Sequence, residues 1–206
     1  MIIEKIPVCG ALETNAYFCV DEQNKNGFLI DPGAEADKLI KVVQQKEWNI
    51  EKILLTHGHF DHIGAVQQIS KTLNIPYFIH KSGEEMLKNP ELNLSAYFGN
   101  ELVLNDAEYF GDEFTFKLSS ETELKVIHTP GHTPCSVIFY CKAENIIFSG
   151  DTLFKQGIGA THFPGGNYET LLTSLQNKVF SLSSQTKVYP GHGENTIIAK
   201  ENYCHM

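Results

Sequence analysis

Residues 54–65, LLTHGHFDHIGA, set His57, His59, Asp61 and His62 directly behind a short apolar run. Residues 52–56, KILLT, read as a buried strand, and Ile63, Val66, Ile69 and Leu73 then recur at helical spacing. Four groups that prefer water or a partner are thus crowded where a strand ends and a helix begins. Either Asp61 caps a helix starting near Ile63, or a positive charge sits among the four. His57 and His59 are two residues apart, which turns their rings to the same side of an extended segment. Asp61 and His62 are adjacent, so they are expected to diverge and to serve a different ion. The spacing is not the H-E-x-x-H of a helical zinc site.

The same placement recurs along the chain. His132 follows ELKVIHTPG (123–131), Asp151 follows NIIFSG (145–150), and His192 follows TKVYPG (186–191). Each lies just past an apolar strand-like run. Strands of one sheet layer can deliver their terminal loops to a single rim, where imidazole and carboxylate groups suit zinc, iron or manganese. Seven such groups exceed the needs of one four-coordinate ion. They suit two ions about 3.5–4 Å apart that share a carboxylate and a water.

Further strand-like runs are IIEKIPV (2–8), NAYFCV (15–20), GFLID (27–31), PYFIH (76–80), FTFKL (114–118) and SVIFYC (136–141). Residues 21–27, DEQNKNG, read as a hairpin turn. Leu39, Val42 and Val43 mark one helix. Asn167, ahead of Leu171, Leu172, Leu175 and Val179, caps another. Residues 81–105 read as a short helix and a loop. The order predicts an α/β fold in which two mixed sheets face each other with helices on the outer faces, as a single domain over residues 1–206.

Composition narrows the function. The chain has 206 residues, 42% hydrophobic, and a net charge of −9, which argues against a nucleic-acid or anionic-membrane partner. All 16 basic residues are lysine, so no guanidinium fork is available to hold an anion. Cys9, Cys19, Cys135, Cys141 and Cys204 form no C-x-x-C pair and are odd in number, which favours reduced thiols. With no leader-like start and no membrane-length apolar run, the expected location is cytoplasmic.

H-x-H-x-D-H, followed by PGHT, SGDTLF and YPGHG, resembles the metallo-β-lactamase fold family over nearly the whole chain. HTPGHTPCS, SGDTLF…GIGATHFPGG and VYPGHGENTI are similar to the short glyoxalase II-like hydrolases. The resemblance implies a four-layer αβ/βα sandwich with two divalent metal ions at the sheet edge, zinc foremost, with iron or manganese able to take the same donors. It implies that His57, His59 and His132 hold one ion and that Asp61, His62 and His192 hold the other, with Asp151 bridging both. It further implies that a metal-bound hydroxide attacks a thioester, such as a hydroxyacyl-glutathione or a related small acyl thioester, with Asp61 orienting the water or taking up a proton.

The branch carries a basic residue near Ala160 and often an aspartate near His162, where this chain differs. The helical domain that grips glutathione in full-length members is not expected in the residues after His192. Lys155 and His162 are candidate substrate contacts. Cys135 reads as a small packing residue and Tyr168 as packing at a helix start. His128 reads as a support to the site or a core histidine, and His80 and His205 as structural or exposed. Other chemistries on the same scaffold are a mononuclear iron persulfide dioxygenase, a lactonase, a β-lactamase (many of which lack an aspartate at the Asp151 position) and a catalytically silent metal-binding module.

Overall fold

A computed structural model describes residues 1–201 of the chain. The first sheet runs β1 (Ile2–Cys9), β2 (Glu13–Val20), β3 (Asn26–Ile30), β4 (Asn49–Leu54), β5 (Tyr77–His80) and β6 (Glu108–Phe110), hydrogen-bonded in that order. β1, β2 and β3 are antiparallel neighbours, and β3 to β6 run parallel. β7 (Thr115–Lys117), β8 (Glu123–His128), β9 (Val137–Cys141) and β10 (Ile146–Gly150) belong to the second sheet. A small hairpin of β11 (Leu153–Phe154) and β12 (Gly157–Ile158) follows, then β13 (Lys187–Pro190) and β14 (Thr196–Ile197). The second sheet has the order β14-β13-β10-β9-β8-β7, with β10 and β13 parallel and the other neighbours antiparallel.

Both sheets are apolar on both faces, which is why their strands read as nearly continuous hydrophobic runs rather than as alternation. Tyr17, Cys19, Phe28 and Ile30 of the first sheet meet Val126, Val137, Phe139 and Phe148 of the second in one buried layer. The alternate residues Phe18, Leu29 and Ile53 pack outward with Leu39 and Val43 of α1 (Ala36–Lys46) and with Val66 and Ile69. On the far side Ile138, Ile147 and Val188 pack with Leu171, Leu175, Val179 and Ile198. The layers are therefore helix, sheet, sheet, helix, as the pattern predicts. The expected helix after Asn167 is α5 by chain order, Tyr168–Ser174, and widens into a π turn over Leu175–Val179; the Asn167 side chain accepts the cap bond from Thr170 N–H at 2.9 Å.

One expected helix is divided. The run from Ile63 to Leu73 forms α2 (Phe60–Ile63) and α3 (Val66–Leu73). The Ala65 N–H leaves the helical ladder and donates to the Pro32 carbonyl at 3.0 Å, which re-aims the chain between them. Asp61 consequently sits inside the first turn of α2 and makes no capping bond, contrary to the capping reading. α4 (Glu84–Lys88) lies in the expected 81–105 segment, and α6 (Ile198–Glu201) closes the described chain. β6, β11, β12 and β14 are two or three residues long and carry no pattern of their own. No described helix is long and apolar enough to cross a membrane. Cys204 and His205 lie outside the described residues.

Phe139 is fully buried between the sheets and within 6.2 Å, centroid to centroid, of both Phe110 and Phe116. Phe139→Ala should cost about 3–5 kcal/mol of stability, read as a fall in the urea midpoint.

Candidate metal centre

The ends of four strands carry the site. β4 leads to His57 and His59 and on to Asp61 and His62 in α2, while β8, β10 and β13 lead to His132, Asp151 and His192. The pairing directions make β8, β10 and β13 run the same way, so their C-terminal loops share one edge. The first sheet brings four of the groups and the second brings three. Gly191 allows the close approach at this edge, since a Cβ there would run into Asp151 Oδ1 and the His62 ring.

All seven residues predicted from the sequence converge. His59 Nδ1 is 3.0 Å from His132 Nε2. His62 Nε2 is 3.5 Å from Asp61 Oδ2 and 3.3 Å from Asp151 Oδ1. His192 Nε2 is 3.2 Å from Asp61 Oδ2 and 3.4 Å from Asp151 Oδ2, which is also 3.6 Å from His132 Nε2. The atoms group as His57, His59 and His132 on one side and Asp61, His62 and His192 on the other. Asp151 stands between the two groups, with Oδ2 near both His132 and His192 and Oδ1 near His62. Asp61 and His62 do not diverge as expected from their adjacency. The helical backbone of α2 points both at the same spot.

The outward nitrogens decide what the inward ones can do. His132 Nδ1 donates to the Ala160 carbonyl at 2.7 Å and His192 Nδ1 to the Glu13 carbonyl at 2.6 Å. His62 Nδ1 donates to Asp31 Oδ2 at 3.0 Å. The same carboxylate accepts Thr56 N–H at 2.8 Å and Thr56 Oγ1–H at 2.6 Å, so the Thr56 oxygen in turn accepts from His57 Nδ1 at 3.1 Å. Each of these rings therefore presents its Nε2 inward, the arrangement that orients metal-binding imidazoles. Thr14 Oγ1 donates to Asp61 Oδ2 at 3.2 Å and steadies that carboxylate.

Ion pairing among the residues satisfies part of this cluster. Burial opposes charge on His62, but Asp151, Asp61 and Asp31 outweigh it and hold its pKa well above the usual imidazole range. His192 is likewise pushed up to about 10 by hydrogen bonds to Asp151 and Asp61 against its burial. Asp151 and Asp61 are held low by His62 and His192 despite desolvation. Burial, reinforced by neighbouring imidazoles, lowers His57 strongly and His59 to about 3. Protonated His62 and His192 thus balance the carboxylates, yet His57 Nε2, His59 Nε2, His62 Nε2 and Asp151 Oδ1 remain buried without a hydrogen-bond partner. Each such atom costs about 1–3 kcal/mol. Lone pairs and a carboxylate oxygen converging in this way fit cations.

The other candidates lie around this cluster. Lys155 is at the surface and paired with Glu194. His162 is exposed and tilts against Phe163, whose ring is 5.9 Å from that of His59. Cys135 is fully buried against Met86 and Thr133, as a packing residue should be. Tyr168 begins its helix but is 53% exposed, so it does not pack there as expected. His128 touches none of the seven residues. It stacks on buried His80, and both face Asp112. The reading missed Asp31 and Thr56. Asp31 in DPG stands just past β3, in the same strand-end placement that marked the others.

Asp31→Asn keeps the shape but turns an NH2 toward one of three donors. Removal of such an orienting partner should weaken metal affinity or activity by about 10–100-fold, measured by competition with a coloured chelator.

A model of the metallo-beta-lactamase superfamily matches residues 9–192. The hydroxyacylglutathione hydrolase GloC of Haemophilus influenzae is 34% identical over 98% of this chain and 95% of its own. The crystal structure of BLEG-1 B3 metallo-beta-lactamase superposes with a TM-score of 0.92 at 37% identity, covering 99% of this chain and 98% of that one. That of TTHA1623 in a di-iron-bound form gives a TM-score of 0.84 at 33% identity over 97% and 98%. The helix–sheet–sheet–helix layering, the histidine and aspartate cluster at the sheet edge and these likenesses agree: this chain belongs to the metallo-beta-lactamase superfamily.

Proposed function

We propose that this chain hydrolyses small acyl thioesters at a dinuclear metal centre, with hydroxyacyl-glutathione as the reference substrate. His57, His59 and His132 would hold one divalent ion and Asp61, His62 and His192 the second, with Asp151 placed between the two sets. The observation that carries this reading is the convergence at one edge of three buried, unpartnered atoms, His57 Nε2, His62 Nε2 and Asp151 Oδ1, with His59 Nδ1 facing His132 Nε2 at 3.0 Å. Contacts of 3.2–3.6 Å between the carboxylate oxygens and the imidazole nitrogens support it. Donors about 2 Å from a shared ion stand about that far apart. Zinc is the first choice, and iron or manganese suit the same donors; the di-iron form of TTHA1623 lends weight to iron.

Ions bound there supply Lewis-acid polarisation of a carbonyl and a water of lowered pKa. The chain does the rest. Asp61, steadied by Thr14, orients the attacking water. Asp31 and Thr56 keep the His57 and His62 rings from turning. A thiolate leaves without a strong acid, because an ordinary thiol titrates near 8.5. Phe163 beside His59 and Phe154, centred 6.0 Å from the His192 ring, give the mouth apolar surface for an acyl group. Lys155, paired with Glu194 two positions past His192, is the candidate cation for an anionic substrate end. It would exchange Glu194 for that end at small cost, since exposed pairs contribute little. β-Lactam cleavage is the second reading, favoured by the likeness to BLEG-1.

A thioester, lactone, β-lactam and glutathione-persulfide panel, run beside metal analysis, tests the proposal. Thioester turnover with two ions per chain is expected, and Asp151→Ala should abolish it. Turnover surviving in Asp151→Ala would remove the bridging role. Preference for β-lactams would install the second reading, and one iron with oxygen uptake on the persulfide would make the chain a dioxygenase.

Proton competition adds a pH test. His62 and His192 have raised pKa values, so both carry protons at pH 7 in the metal-free protein. An incoming ion must displace those protons. Uptake at pH 7 should release protons, and affinity should climb as pH rises from 7 toward 10, where His192 deprotonates. Calorimetry in two buffers of different ionisation enthalpy reads the release directly.

A further inference from the structure

A second cluster lies where the two sheets meet, built from residues that the candidate metal centre does not use. His80 ends β5 in the first sheet, His128 ends β8 in the second, and Asp112 lies between β6 and β7. The two rings stack, with centroids 4.2 Å apart and planes 20° from parallel. Both present a nitrogen to the same oxygen: Asp112 Oδ1 is 2.8 Å from His80 Nε2 and 3.7 Å from His128 Nδ1. We infer that His80, Asp112 and His128 form a peripheral site for one divalent transition-metal ion of the zinc class.

The protonation pattern suits this. His128 Nε2 donates to the Pro134 carbonyl at 2.8 Å, which leaves Nδ1 with its lone pair on the Asp112 side. Burial lowers the pKa of His80, with Asp112 opposing, so the ring is neutral near pH 7 and can act as a ligand. The hydrogen bond from His80 holds the Asp112 carboxyl low, hence ionised. Three ligands about 2.0–2.2 Å from zinc stand about 3.3–3.5 Å apart in a tetrahedron. The 3.7 Å contact closes slightly, the 2.8 Å contact opens by about half an ångström, and the two stacked rings turn out of parallel so that both lone pairs meet one ion. The ion takes the place of the proton that His80 shares with Asp112. That proton moves to His80 Nδ1, which gives up a 3.3 Å contact from Ser82 N–H.

The fourth position faces solvent. Asp112 is largely exposed, and a groove of about 520 Å³ bounded by Asp112, His128 and Lys178 opens beside it. Two cations stand near. The Lys178 ammonium is fixed on the His128 carbonyl at 2.6 Å, and Lys81 is on the surface, free to swing outward. An ion here ties β5, the β6–β7 connection and β8 together. Through the His128–Pro134 bond it also braces the 129–136 loop that delivers His132.

The test compares zinc bound per chain in wild type and in His128→Gln and Asp112→Asn variants. Metal-loaded protein is dialysed at matched micromolar free Zn²⁺ and analysed by mass spectrometry. Wild type should hold one ion more than either variant, and Co²⁺-loaded wild type should show visible absorption in excess of that of both variants. The difference is independent of what the candidate metal centre binds, because all three proteins share that centre. Equal loading of wild type and Asp112→Asn overturns the proposal. Asp112 is exposed, so its variant decides the matter even where His128→Gln folds poorly.

Discussion

The carboxylate of Asp31 holds three donors at once, the Thr56 amide, the Thr56 hydroxyl and the His62 ring. Through Thr56 it also sets His57. One buried group thus fixes the end of β3, the end of β4 and the first turn of α2 relative to one another. Its backbone is left-handed, with φ of 49°, a conformation few side chains tolerate. Buried carboxylates are expensive unless fully hydrogen-bonded, and this one is satisfied by groups that must point elsewhere for the site to work. Order at the rim and orientation of the imidazoles are therefore the same interaction.

The fold was legible because the central strands are apolar on two faces, outer strands such as β8 alternate, and the helices are apolar on one face. Tyr17 and Phe18 pack in opposite directions from neighbouring positions, and both are fully buried. What stayed hidden was short or depended on distant partners. The two-residue strands β11, β12 and β14 have no period to read. The break between α2 and α3 comes from Pro32, more than 30 residues upstream, taking a bond that the helix would have used.

The cluster itself was legible for a different reason. Histidines and aspartates stand out against apolar strands, and seven of them shared one placement. Asp31 shared it too, but it closes the GFLID run directly before Pro32 and Gly33, where a chain stop is the ordinary meaning. The adjacency of Asp61 and His62 misled because side chains of neighbouring residues diverge in an extended segment, whereas here both sit on one turn of helix. His128 reads from the sequence as a support to the site or a core histidine. Tertiary packing set it against His80 and Asp112 instead.

The donors at the rim run from His57 to His192 and come from both sheets. No fragment holding one sheet can complete the set, and the last donor is in place only once β13 has docked beside β10. Ions bound at the proposed centre would thus report assembly. A chain whose halves are mispaired shows scattered imidazoles to its surroundings, while a correctly joined one shows a closed ring of them.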